Sequence, residues 1–185
     1  MDTNIITKFT VVTEQGIDAL LLLTKEIAIE KFSSLLPVQI LESYIAESFN
    51  EKTLIVEVNS MANQWLIVYA GDKPAGYARI TSKGRRPEFL DQKRIIRIAD
   101  FGVLKKYTDP AIRQTLFEKC LSVCKSYEGV WINEYLENPL TGFFESEGFV
   151  REEDVYQMDE LPLASVCLVR APDCIPLTNS NENTA

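Results

Sequence analysis

The chain has 185 residues, 46% of them hydrophobic and 25% charged, which suits one buried core and excludes global disorder. Its formal net charge of −8 argues against general nucleic-acid binding, which rests on neutralising phosphates. There is no histidine, so His-based triads, imidazole metal ligands and histidine pH switches are excluded together. Proton transfer is left to carboxylates, Lys, Tyr, Cys or water.

Ile5 to Val12 alternates loosely and predicts a first strand. Leu20, Leu23, Ile27, Ala28 and Phe32 recur at three- and four-residue steps, which predicts a helix over Ile17 to Phe32. Pro37 opens a second helix with Val38, Leu41, Ile45 and Phe49 on one stripe. The period then changes. Trp65 to Tyr69 and Ala75 to Thr81 read as strands, and the turn residues Ala70 to Pro74 join them into a hairpin. A basic link, Lys83 to Arg97, holds six Lys or Arg against Glu88 and Asp91. Ile95 to Leu104 is a third strand of the series, with Gly102 the expected bulge. Asp109-Pro110 sets an N-cap acid before Pro at the first helical position, and Ile112, Leu116, Cys120 and Val123/Cys124 make the apolar face that follows. Val130 to Asn133 is a short buried strand. Asn138-Pro139 repeats the cap signal before Leu140, Phe143 and Phe144, and Gly148 ends that helix. Ser165 to Arg170 supplies the last strand. The order predicts a mixed α/β layer around one long sheet, a single domain over residues 1–172 with a polar tail at 173–185.

Cys120, Cys124, Cys167 and Cys174 form no Cys-x-x-Cys pair and no zinc set, so they read as reduced packing residues and no metal is expected. The longest apolar run, Ala19 to Leu23, is too short to cross a bilayer. A soluble, cytoplasmic protein without a membrane partner is expected.

Three stretches carry a resemblance: the hairpin text GDKPAGYARI, the run Ile98 to Tyr107, and Asn138 to Phe149 with its Asn138, Phe143, Gly148 and Phe149. Together they resemble the GNAT family of N-acetyltransferases over roughly Ile5 to Arg170, and within it the polyamine/PaiA-like branch. The resemblance implies a mixed, mostly antiparallel central sheet with helices on both faces. It implies acetyl transfer from acetyl-CoA, as co-substrate, to a small-molecule amine, by a monomer or homodimer. The cofactor would run along Phe101 and Val103, reach a pyrophosphate loop and helix start at Thr108, Ala111, Ile112 and Arg113, and pass Asn138 and Phe144. Asp100 takes the place of a base or water anchor. Its alternative is an outward strand residue paired with a base such as Arg97. Glu134 and Glu137 are further acids near the site.

Two departures from that family stand out. Its pyrophosphate loop uses glycine where backbone must approach phosphate, but this chain has Ala111 and Arg113, and Pro110 removes a donor. Arg113 either pairs with a phosphate or packs on its helix; both readings stay open. The family tyrosine that protonates the thiolate aligns with Phe144, which has no proton to give, leaving Tyr135, Tyr156 or water. A non-catalytic ligand- or partner-binding domain is therefore the competing reading. Finally, Glu134 to Glu160 holds nine acids and only Arg151, which suggests an acidic mouth for a cationic amine, or else a solvated surface.

Overall fold

A computed structural model describes residues 4–90, 94–157 and 161–171; the tail at 173–185, with Cys174, lies outside the described residues. The strands are β1 (Ile5–Phe9), β2 (Asn63–Ala70), β3 (Lys73–Thr81), β4 (Ile95–Val103), β5 (Gly129–Tyr135), β6 (Val150–Gln157) and β7 (Ala164–Arg170). They form one sheet in the order β1-β2-β3-β4-β5-β7-β6. Among the described strands only the β4–β5 pair is parallel. Helices α1 (Glu14–Phe32), α2 (Val38–Ser48) and α3 (Glu51–Asn59) cover one face, and α4 (Pro110–Cys124) and α5 (Leu140–Ser146) the other. This is the mixed, mostly antiparallel sheet with helices on both faces that the resemblance implies.

Local chemistry fixes the helix ends. Thr13 caps α1 by accepting the Gly16 N–H, and Asn50 caps α3 by accepting the Thr53 N–H. Asp109 Oδ1 accepts the Ala111 N–H at 2.9 Å, with Pro110 opening α4. Asn138 Oδ1 accepts the Leu140 N–H at 2.8 Å in the same way. At the far end of α5, Phe149 N–H donates to Phe144 O and Gly148 N–H to Glu145 O, a Schellman closure. Gly148 supplies the φ of 88° that this closure needs, and the Phe144 and Phe149 rings seal it at 5.8 Å.

The structure adds α3 and β6 to the predicted order. It also corrects two details. Val38 on α2 is 63% exposed, so the buried stripe of that helix begins at Leu41. The β4 bulge is at Ala99 rather than Gly102, because Arg79 faces Asp100 while Ile80 faces Ile98. Gly102 has a different reason to be small. A Cβ there would meet Ile27 Cγ2 of α1 at 2.7 Å. Gly76 is tighter still, its Cβ falling 2.5 Å from Gly102 O and 2.9 Å from Val103 Cα.

Buried cores lie on both faces. Leu66, Ile80, Ile98, Phe101, Phe117 and Phe144 pack under α4 and α5; Leu20, Leu23, Leu54, Ile67 and Tyr77 pack under α1 and α3. Cys120, Cys124 and Cys167 are buried with free thiols. Among the described residues no helix is long and apolar enough to cross a membrane.

Gly76→Ala drives a methyl into backbone that cannot step aside, and should cost about 3 kcal/mol, the upper end for overpacking. Gly102→Ala meets only a side chain that can shift, and should cost about 1 kcal/mol. Urea unfolding of both variants checks the order; equal losses would contradict this difference in packing.

Candidate active site

The β4–β5 ladder pairs Ile95 with Gly129, Ile96 with Val130 and Arg97 with Trp131, and then ends. β4 nevertheless continues to Val103 against β3, and β5 to Tyr135 against β7. The two strands therefore diverge beyond Arg97 and Trp131.

Two clefts meet the sheet here. The smaller, about 520 Å³, lies between the end of β4, the end of β5, α1 and the start of α4. The larger, about 920 Å³, lies between α2, β2, β3 and the first part of β4. Gly102, Val103 and Leu104 line the smaller one, and Arg97 and Ala99 line the larger. Asp100 and Phe101 are the β4 residues between them.

Asp100 Oδ2 accepts a hydrogen bond from Arg79 Nε at 2.7 Å. Its partner is thus Arg79, directly across the β3–β4 ladder, and not Arg97. Arg79 also stands 3.6 Å from Glu57 and lies over the Trp65 ring at 5.4 Å. Glu57 in turn accepts from Asn63 and pairs with Lys83 at 3.4 Å. The guanidinium of Arg97 lies 4.8 Å over Trp131.

Glu134 on β5 is 5% exposed and pairs with Lys31 of α1 at 3.3 Å. Burial pushes its carboxyl above the usual carboxylate range, and the adjacent Lys31 ammonium opposes that shift. Its Oε2 is buried without a hydrogen-bond partner among the described residues. Neither Lys31 nor Arg79 is singled out by the sequence reading. The signals were there: Arg79 shares a strand face with Tyr77 and Thr81, and Lys31 follows Ile27 by one helical turn.

The predicted cofactor residues separate into two groups. Val103, Thr108, Arg113 and Asn138 line the smaller cleft. Phe101, Ile112 and Phe144 do not, being 3%, 3% and 0% exposed within the apolar core. Phe144 sits among Phe101, Phe117, Phe143 and Phe149, so its side chain has no access to a ligand. Ala111 does not line the cleft either, and its N–H is taken by the Asp109 cap. A carboxylate thus occupies the positive end of α4, where the resemblance expects an anion to bind. Arg113 lines the cleft, and its guanidinium stacks 4.2 Å over Phe143, with Nε buried and without a hydrogen-bond partner among the described residues, so both readings stay open.

Of the two tyrosines considered as proton donors, Tyr135 lines this cleft and Tyr156 lies in a separate one beside Asp154 and Phe89. Burial pushes the Tyr135 hydroxyl up to about 12, so it stays protonated at neutral pH. The described acids of the segment do not gather around either cleft. Glu152, Glu153 and Asp154 lie on the outermost strand, β6, and Asp159 and Glu160 fall outside the described residues. Glu137 alone of its described acids lines either of the two clefts. Among the described residues no cluster of three or more His, Cys, Asp or Glu is placed to hold a metal ion.

No family profile matches the sequence, and no curated protein matches it. Solved structures do. The PaiA N-acetyltransferase from Thermoplasma acidophilum, solved in complex with coenzyme A, is similar at a TM-score of 0.70 and 13% identity, over 90% of this chain and 99% of that one. A GCN5-related N-acetyltransferase from Rhodopseudomonas palustris gives 0.65 and 11%, over 92% and 96%. ElaA from Escherichia coli gives 0.61 and 18%, over 90% and 99%. The chain has the GNAT acetyltransferase fold.

Phe144→Tyr puts a hydroxyl into a dry aromatic cluster, and should destabilise by about 2 kcal/mol with no gain in turnover. Thermal melts and initial rates check both parts. Lys31→Met leaves Glu134 buried without its counter-charge, at a cost of about 3 kcal/mol. A carboxyl held above its unfolded value favours folding when protonated, so stability falls as pH rises through the raised value. The loss should therefore be larger at pH 8 than at pH 5, and Glu134→Gln in the same chain should recover most of it. Urea unfolding at the two pH values is the measurement.

Proposed function

We propose that this protein transfers an acetyl group from acetyl-CoA to the amine of a small molecule. The observation that carries the reading is the divergence of β4 and β5 between two clefts. One cleft reaches the start of α4 and suits a long cofactor; the other approaches the same strand from the α2 side and suits an acceptor. Acetyl-CoA supplies a thioester carbonyl activated for attack by an amine.

The chain's own residues divide the remaining work. Val103, Thr108, Arg113 and Asn138 hold the cofactor. Arg113 replaces with charge the phosphate contacts that glycine backbone makes elsewhere. The backbone N–H groups on the β5-facing edge of β4, past Arg97, are the donors available to a carbonyl that gains negative charge. Asp100, fixed by Arg79, takes the amine proton or holds the water that does. Glu137, which lines the smaller cleft, is the second acid at the opening. Tyr135 keeps a hydroxyl beside the leaving sulfur. Three buried thiols fit a reducing, cytoplasmic setting.

The finer reading, a cationic amine of the polyamine/PaiA-like kind, drew on the acidic segment. Of the described acids in that segment only Glu137 lines either cleft, so the proposal stops at an amine. One observation favours the non-catalytic alternative: Asp109 caps α4 where a pyrophosphate would seek free N–H groups.

Calorimetry with acetyl-CoA separates the readings. Arg113→Gln should weaken binding about tenfold, the value of a lost charge-assisted contact. Asp109→Asn keeps the cap and removes its charge, and should tighten binding about threefold. A wild-type chain that binds no acetyl-CoA and acetylates no amine would leave the non-catalytic domain as the better description.

A further inference from the structure

A third cleft, of about 610 Å³, lies beside the larger one and shares Arg85 with it. Asn133 of β5 and Cys167 of β7 are ladder partners in its lining, with Trp131 next to them and Phe89 and Tyr156 at its sides. The division of work set out above gives this cleft no part. Asn133 is 8% exposed, and its Oδ1 is buried without a hydrogen-bond partner among the described residues. Its Nδ2 makes no hydrogen bond among them either. Polar groups buried this deeply are normally paired within the protein. A whole side-chain amide left unpaired on the lining of an open cleft points to a partner that arrives from outside.

The chemistry of that partner follows from the amide. Asn133 carries no charge, and whichever way its amide is turned it offers an acceptor and an N–H donor side by side. Their complement is a neutral group with an N–H and a C=O on neighbouring atoms, which is another amide. An ammonium or a carboxylate satisfies only one of the two. Position ties the cleft to the reaction. Arg97 and Trp131 are the last pair of the β4–β5 ladder, so two residues further on Ala99 and Asn133 flank the opening between the strands. Ala99 lines the larger cleft and Asn133 the third. By strand alternation Asn133 shares its face with Tyr135, which packs on Phe32 of α1, so the third cleft lies on the same side of the sheet as the acceptor cleft.

We propose that the acceptor carries a carboxamide next to its reacting amine, an α-amino amide, and that Asn133 selects it. This rests on the acetyl-transfer reading. With the ligand's amide on Asn133, the amine on the adjoining carbon reaches the opening, where Asp100 follows Ala99 on the opposite bank. The rings of Phe89 and Tyr156 suit an apolar side chain on that same carbon. The amine nitrogen forms a bond to the acetyl carbon, the carbon–sulfur bond breaks, CoA leaves with the electron pair, and the amine proton goes to Asp100 or its water. The ligand's amide nitrogen, its lone pair delocalised into the carbonyl, does not react. Asn133 moves no proton, so its contribution belongs in the KM for the acceptor.

The test measures initial rates at saturating acetyl-CoA with phenylalaninamide, phenylalanine methyl ester and spermidine. The two phenylalanine derivatives share side chain, carbonyl and an amine of similar basicity, and differ in the N–H that Asn133 accepts. A site built around an N–H rejects the analogue that lacks it, so kcat/KM for the amide should exceed that for the ester by about tenfold or more. Asn133→Leu removes an unpaired buried group and should melt no lower than wild type. In it the preference should fall to about twofold, through a higher KM for the amide. Equal turnover of amide and ester, a preference unchanged in Asn133→Leu, or spermidine used ahead of both overturns the proposal and leaves acetyl transfer standing. The comparison in wild type decides even where the variant folds poorly. If the chain neither binds nor uses acetyl-CoA, the acetyl-transfer reading fails by itself. Calorimetry with phenylalaninamide then decides what the cleft takes. Binding that is lost in Asn133→Leu supports amide recognition; no binding to wild type, or equal binding to both, refutes it.

Discussion

The parallel ladder between β4 and β5 holds for three residue pairs and stops, although both strands run on. Each strand stays bonded on its other side, β4 to β3 and β5 to β7, so the gap is a fixed feature of the sheet and not a frayed edge. Every backbone group along the gap must find a partner other than the neighbouring strand. This one interruption sets where the two clefts lie along β4 and β5.

Packing keeps the gap from closing. The Ala99 bulge bends β4 away from its partner. On the α4 side, Phe101 stacks on Phe143 and meets Phe117 and Phe144 edge-on, with ring centres 5.5–6.2 Å apart. These rings wedge between β4 and α5, and the Schellman closure after α5 fixes the wedge. On the α1 side, Gly102 admits Ile27, and Lys31 reaches Glu134 across the opening. An aromatic wedge on one face and a buried ion pair on the other hold the strands at a distance that backbone hydrogen bonding alone would not choose.

Much of the frame was legible in the residues. Asp109-Pro110 and Gly148 announce helix ends through cap chemistry, which is local and survives any tertiary context. The hairpin at Gly71 is equally local. α3 was hidden because Thr53, Ile55, Val56 and Val58 are β-branched and helix-poor, and only Leu54 is fully buried. β6 was hidden because VREEDVYQ has no clean apolar alternation and no buried residue, the strand being held by its ladder with β7. At the site, the local parts were again the readable ones: Val103, Thr108, Arg113 and Asn138 do share a cleft. The partner of Asp100 was not readable. It depends on the register of two strands 21 residues apart and on a bulge that shifts it. The acidic segment misled for the same reason, since net charge along the chain says nothing of which side of a sheet it reaches.

That acidic strand has a consequence of its own. β6 is the last strand of the sheet, and a bare last strand is a template on which another chain can continue the ladder. Here Arg151 pairs with Leu168 and Val155 with Val166, so Glu152, Glu153 and Asp154 bulge out opposite the single residue Cys167. The irregularity breaks the hydrogen-bonding row, and three adjacent carboxylates would meet three more on any copy approaching edge to edge. The β6 edge is thereby a poor template for a further strand.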